Sequence, residues 1–222
     1  HDLAFAVERG KIAADDGAYD AAILLDETVH DDVQAPNEGK LREPVLKFVQ
    51  YARAFESAPI SIEAEWRFGD TRNPNDKLGQ HPLRSNSVFN FYRPGYIAPN
   101  SATGDAGLTA PELQIVNEGA SLGFSNFLTH FIMRRADNPE NYDGFEPNFS
   151  REISLADDPA ALVEHLNIKL TAGQMSETTQ AEIVGIISGL AVEADDINVE
   201  RRKRVQVALV LTVASGAFAV QN

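Results

Sequence analysis

Apolar positions along this chain recur at three- and four-residue steps, and no convincing period-two alternation is present. Leu41, Val45, Phe48, Ala52 and Phe55 share one helical face, which predicts a helix over about 41–55. Pro44 falls in its first turn, where a missing N–H costs least. A shorter helix is predicted over 17–29, with Ala21, Ile23, Leu24 and Leu25 as its apolar contribution. Residues 60–67 read equally as a short helix or an extended piece. Thr109 reads as an N-cap, with Glu112 three residues on as a capping box and Pro111 between them, so a helix is expected to run from there to about Arg135. Three more helices are expected at about 157–171, 176–191 and 199–220. Asp157 or Asp158 caps the first, Gly173 closes it, and Ser176 caps the second. Gly119 with Gly123, and Gly185 with Gly189, lie four apart on a helix face and predict close packing against a neighbour.

Between these helices the pattern breaks down. Pro36-Asn37-Glu38-Gly39 is a turn. Residues 68–108 are rich in Gly, Pro, Asn and Asp, and Pro74, Pro82, Pro94 and Pro99 leave room only for short helices. A second loop spans 137–156. Irregular stretches of this length are uncommon in compact domains and often carry function. No internal repeat is found. The expected architecture is all-α: one domain over 1–222, an irregular bundle of about six to seven helices with two long loops.

Composition narrows the function classes. The chain has 222 residues, a net charge of −14 and no cysteine. A disulfide scaffold, a thiolate metal site and a cysteine nucleophile are excluded. A nucleic-acid partner is not expected, because a phosphate-backbone binder needs surplus positive charge. The apolar run 205–220 contains Gln206, Thr212, Ser215 and Gly216 and falls short of the ~20 residues that span a bilayer, so it reads as a buried C-terminal helix whose Arg201–Arg204 turn is solvated. The charge is uneven. Residues 1–36 carry −7 and residues 137–200 carry −12, whereas residues 37–136 carry +1 together with twelve of the eighteen aromatics. A neutral, aromatic, arginine-bearing middle is the place to seek core or site. The acidic flanks read as solvated helix faces.

Candidate chemistry is sparse. The five histidines have no i, i+4 pair, and neither a Gly-x-Ser-x-Gly elbow nor a P-loop is present. Acid pairs at 15–16, 31–32, 157–158 and 195–196 lack the spacing of a calcium loop and read as caps or solvated surface, so no metal site is assigned. Whether a cofactor is used stays open. The most unusual segment runs from Arg84 to Tyr96. Two arginines bracket an aromatic cluster there, so Arg84 or Arg93 could hold an anionic group while Tyr92 or Phe91 stacks on a ring. The structural alternative, which is favoured, has Val88, Phe89 and Phe91 fastening the loop to the core. On the following helix Gln114, Asn117, Ser121 and Asn126 need partners if buried and are expected to fix the preceding loop. Glu118 and His130 are the remaining candidate ligand-binding residues; twelve positions apart, they stand ~18 Å from each other by helix rise.

Several phrases resemble a known family. Gly39–Leu46 resembles the "GKLREPV" segment of the bacterial DUF1800 family, Pro82–Tyr96 its "SPSVFNFYRPDY" block, and Ala110–Ile115 its "APEFQI" helix start. Leu166–Met175 and Ala214–Gln221 resemble its "LLTAGQMS" and "ASPEFLVQ" ending; Gly216-Ala217 stands where the family often has Pro-Glu. The resemblance implies the C-terminal part of a longer protein, whose N-terminal half would be a partner of this one. It also implies a periplasmic, cell-surface or secreted setting. It supplies no catalytic residue, so whether the protein is an enzyme stays open. The leading expectation is a binding or assembly domain whose partner is a protein or a cell-surface polymer. The alternatives are the half-site of a hydrolase or polysaccharide-acting enzyme, and a self-assembling surface or filament subunit. An enzyme half-site predicts that Arg84, Arg93, Glu118 or His130 converge on a cleft. A binding domain predicts an exposed apolar patch.

Overall fold

A computed structural model describes residues 40–56, 58–59, 70–133, 145–190 and 197–221. The helix expected over 17–29, the undecided piece 60–67 and the acid pairs at 15–16, 31–32 and 195–196 lie outside those residues. By residue contacts the chain divides into two compact units, residues 1–40 with Asn222 and residues 41–221. The second unit holds every helix among the described residues.

The elements in chain order are β1 (Lys40–Leu41), α1 (Pro44–Ala54), β2 (Ala58–Pro59), α2 (Ala102–Asp105), a 3₁₀ turn (Pro111–Gln114), α3 (Glu118–Ile132), β3 (Phe145–Glu146), α4 (Ser150–Ser154), α5 (Pro159–Thr171), α6 (Glu177–Ser188), α7 (Ile197–Ala214), α8 (Gly216–Ala219) and β4 (Val220–Gln221). The protein is all-α. Its strands are two residues long, and β2 pairs antiparallel with β3, Ala58 opposite Glu146.

Local sequence accounts for most helix ends. Asp158 accepts from the N–H of Ala161, Ser176 from that of Thr179 and Asn117 from that of Ala120. Ala172 and Gly173 take left-handed conformations (φ 53° and 81°) that end α5. Asn167 then ties the following turn down: its Oδ1 accepts from the N–H of Met175 at 3.0 Å and from the hydroxyl of Thr171.

Four expectations are corrected. The helix expected over 199–220 stops at Ala214; Ser215 separates it from the short α8, and β4 follows. The helix expected to run unbroken from Thr109 is a 3₁₀ turn followed by α3. Thr109 caps nothing; Asn117 starts the long helix, and Glu112 is drawn inside, 6% exposed. The basic turn at 201–204 is not simply solvated. Arg204 is buried and donates to the carbonyls of Ala156 and Leu190, two turn carbonyls that lack a helical partner, and Arg201 pairs with Asp157. Gly123 does serve close packing, because a Cβ there would overlap the Pro74 carbonyl oxygen, but a Cβ on Gly185 would meet nothing among the described residues.

The core lies where α7 meets α3, α5 and α6, with α1 packed on α5. Phe48 contacts Phe127 and Phe131 at ring distances of 5.3 and 5.1 Å, and Phe55 meets Phe149 edge-on at 5.2 Å. Leu162, Leu166, Val205, Leu209 and Phe218 complete it, each fully buried. Glu152 is also fully buried. It accepts from Lys169 Nζ at 2.8 Å and lies 2.8 Å from His165 Nε2, which fastens α4 to one face of α5.

Candidate functional site

Glu43 precedes α1 in the N-cap position, yet its carboxylate does not cap the helix. It is engaged elsewhere. Oε1 accepts from the Tyr92 hydroxyl at 2.7 Å, and Oε2 accepts from the Gln80 amide. Gln80 in turn serves the helix: its Oε1 accepts from the N–H of Val45 at 3.1 Å. A residue 35 positions away therefore caps α1, and helix, loop and tyrosine share one polar node. Gln80 is itself buried and is held by Thr71, whose hydroxyl donates to the Gln80 carbonyl at 2.6 Å. Burial, then the bond to Glu43, hold the Tyr92 phenol well above the ordinary tyrosine range, so it remains a donor.

Beside this node lies an apolar groove of about 360 Å³. Val45, Phe48, Val49 and Ala52 of α1 form one wall, and Leu78 and Pro82 form the other. Thr71 and His81 give it a polar edge, and Arg53 and Glu56 lie at the C-terminal end of α1. Pockets of this size and lining bind small apolar groups or side chains. Lys47 is on a different face of α1. It is 4% exposed, with its ammonium 4.0 Å from the centre of the Phe124 ring. Burial, and then the charge of Arg42, bring its pKa down to about 8.

The loop after the groove turns three large apolar side chains outward among its polar ones. Leu83 is 104% exposed, Val88 95% and Phe89 63%. This reverses the expectation that Val88 and Phe89 fasten the loop to the core. Backbone and polar bonds hold it instead: Tyr92 to Glu43, the N–H of Arg93 to Gln114 Oε1 at 2.8 Å, and the N–H of Ala110 to the Tyr96 carbonyl at 2.9 Å. Gln114 thus fixes the preceding loop, as its place in the sequence predicts. Leu83 also sits at φ 60°, a left-handed conformation that costs a non-glycine residue ~1–2 kcal/mol. It gains no burial in return.

The five candidate residues do not gather. Arg84 and Arg93 project from the exposed loop, and their guanidinium groups have no hydrogen bond or ion pair among the described residues. Tyr92 belongs to the node with Glu43. Glu118 lies in the first turn of α3, and His130 in its last turn, against the edge of Phe131. Among the described residues no group of His, Asp and Glu is arranged to hold a metal ion. No helix among them is long and apolar enough to cross a membrane. Glu43, Thr71 and Gln80, which build the node, were not singled out by sequence. The available signal was Glu43 itself, an acid directly before the Pro44 that opens a helix.

The family model for "Protein of unknown function (DUF1800)" matches residues 13–220. The chain belongs to the DUF1800 family. No curated protein and no solved structure matches it. In this DUF1800 chain the phrases that carried the resemblance meet in space. Glu43 of the first phrase bonds Tyr92 of the second, and Arg93 of the second bonds Gln114 of the third.

Proposed function

We propose that this DUF1800 chain is a binding or assembly domain whose docking surface is the loop 82–97 together with the groove along α1. One observation carries the reading. Leu83, Val88 and Phe89 stand in solvent on a loop that is fastened from beneath. A pre-ordered loop loses less conformational freedom on docking, so its apolar side chains convert more fully into affinity. The fold does not need these side chains, and large exposed apolar patches mark interaction sites. The partner is a protein or a cell-surface polymer. The setting we propose is periplasmic, cell-surface or secreted, on the strength of the family resemblance.

The test is a photo-reactive amino acid at Val88, compared with one at Gln174, an exposed turn position. Irradiation in producing cells is expected to give a discrete adduct at Val88 and none at Gln174. Equal labelling at both, or no adduct at either, overturns the reading.

A further inference from the structure

Residues 77–104 contain Lys77, Arg84 and Arg93 and no acid, in a chain of net charge −14. The exposed loop is therefore a cationic and apolar patch on an acidic protein. Its complement is found on the same molecule. On α5, Glu164 and Ile168 are one turn apart and both exposed, Ile168 at 62%. On the adjoining α6, Glu182, Gly185, Ile186 and Gly189 follow the i, i+3, i+4, i+7 spacing of a single face, and all four are exposed, Ile186 at 51%. The glycine pair, whose spacing predicts a close neighbour, has no such neighbour among the described residues: a Cβ on Gly185 meets none of them, and one on Gly189 meets only the Gly185 and Ile186 carbonyls. Among the described residues no hydrogen bond or ion pair joins the loop to this face in one copy.

We infer that the loop 82–97 docks on the α5–α6 face of a second copy of this chain. The inference rests on the docking reading above and names its occupant. Arg84 and Arg93 meet Glu164 and Glu182, while Val88 and Phe89 pack beside Ile168 and Ile186, over the glycines that leave room for them. The two surfaces differ, so each copy offers one loop and one face; reciprocal docking closes a dimer, and docking in series gives a ring or a filament. Overall like charge opposes association at long range. At physiological ionic strength it is screened beyond ~8 Å, and local pairing decides the outcome.

The experiment is sedimentation of the intact chain across a concentration series, with two charge-reversed forms, Arg84→Glu/Arg93→Glu and Glu164→Arg/Glu182→Arg. All four positions are exposed, so both forms should fold, which circular dichroism checks. The wild-type mass is expected to rise with concentration above the 24.2 kDa of one chain. Each reversed form should associate about tenfold more weakly or worse. An equimolar mixture of the two should regain the wild-type behaviour. Glu164→Arg/Glu182→Arg lowers the net negative charge, so simple repulsion predicts stronger association for it and specific docking predicts weaker. A wild-type chain that stays at the single-chain mass overturns the inference, as does a mixture no more associated than its components. The Val88 photo-adduct separates the two proposals. An adduct with a second copy supports both, and an adduct with a different polypeptide or a cell-surface polymer overturns self-docking while docking itself stands. No adduct overturns both.

Discussion

The α4–α7 bundle and the 70–116 region place their side chains in opposite ways. In the bundle, charge goes inside. Glu152 and Arg204 are buried; Glu152 is held by side chains of α5, and Arg204 by carbonyls of the turns after α4 and α6. In the loop region, large apolar side chains go outside while Thr71, Gln80 and Glu112 go in. The bundle uses polar groups to fix how helices pack. The loop region uses them to hold a backbone in place and leaves its apolar groups unpartnered. A buried polar group held by several bonds restricts how its neighbours pack; an exposed apolar group on a fixed loop is available for another molecule.

The largest effect should come from the bundle. Glu152→Gln removes a charge that Lys169 and His165 surround, and is expected to cost ~3 kcal/mol near neutral pH, measured by urea unfolding. Burial raises the Glu152 pKa, but the bonds from Lys169 and His165 outweigh it and the net direction is down. A depressed carboxylate stabilises the fold above its unfolded pKa and loses that contribution as pH falls through the folded value. The gap between wild type and Glu152→Gln should therefore close on acidification below the ordinary carboxylate range. A gap that stays constant with pH would remove the ion-pair explanation.

The node comes next. Gln80→Ala strips the cap from Val45 and one partner from Glu43, at an expected ~2 kcal/mol. Hydrogen exchange should locate the change: the first turn of α1 and the loop around Tyr92 lose protection together. Loss confined to one of them would separate what the node is argued to join.

Lys47 sharpens the contrast from the other side, since its buried charge has no anionic partner among the described residues. Its pKa is lowered to about 8, so between there and the unfolded value near 10.5 the folded state binds fewer protons than the unfolded state. Stability should then rise with pH across that window. Lys47→Met is expected to stabilise the protein at pH 7 by ~1–2 kcal/mol, with the gain fading toward pH ~10.5. The lost contact with Phe124 offsets part of the gain. Destabilisation at pH 7 would mean that Lys47 has a role its surroundings do not reveal.

The sequence made the two regions unequally legible. Helix periodicity located α1, α5, α6 and α7; Asp158 and Ser176 act at the ends where their side chains predict, and Gly173 where its freedom to take a positive φ predicts. Those features are local, so one stretch of chain contains the whole cause. The node is not local: Glu43, Gln80 and Tyr92 are brought together only by the fold. Val88 and Phe89 were misplaced for a different reason. Apolar residues are inside on average, but a loop has no period that marks which face is which. The break before α3 was hidden by a capping-box pattern at Thr109 and Glu112, whose acid the fold uses in the interior instead. Arg204 was hidden inside a charge run, where the four residues look alike and only the helix phase distinguishes them.

The smallest effect is the most telling about the loop. Leu83 holds a left-handed backbone and buries nothing. Glycine adopts that conformation without a Cβ clash, but it also gains freedom in the unfolded chain. Leu83→Gly should therefore stabilise the isolated chain by only ~0.5 kcal/mol, a small rise in melting temperature. Val88→Ser, at a position equally free of contacts, should stay within ~0.5 kcal/mol of wild type. Both substitutions should nonetheless weaken docking, because the side chains they remove have no other use. If either unfolds the protein, the loop is part of the core after all. If both leave stability and docking untouched, the exposed apolar groups are incidental, and the contrast between the two regions reduces to one of packing alone.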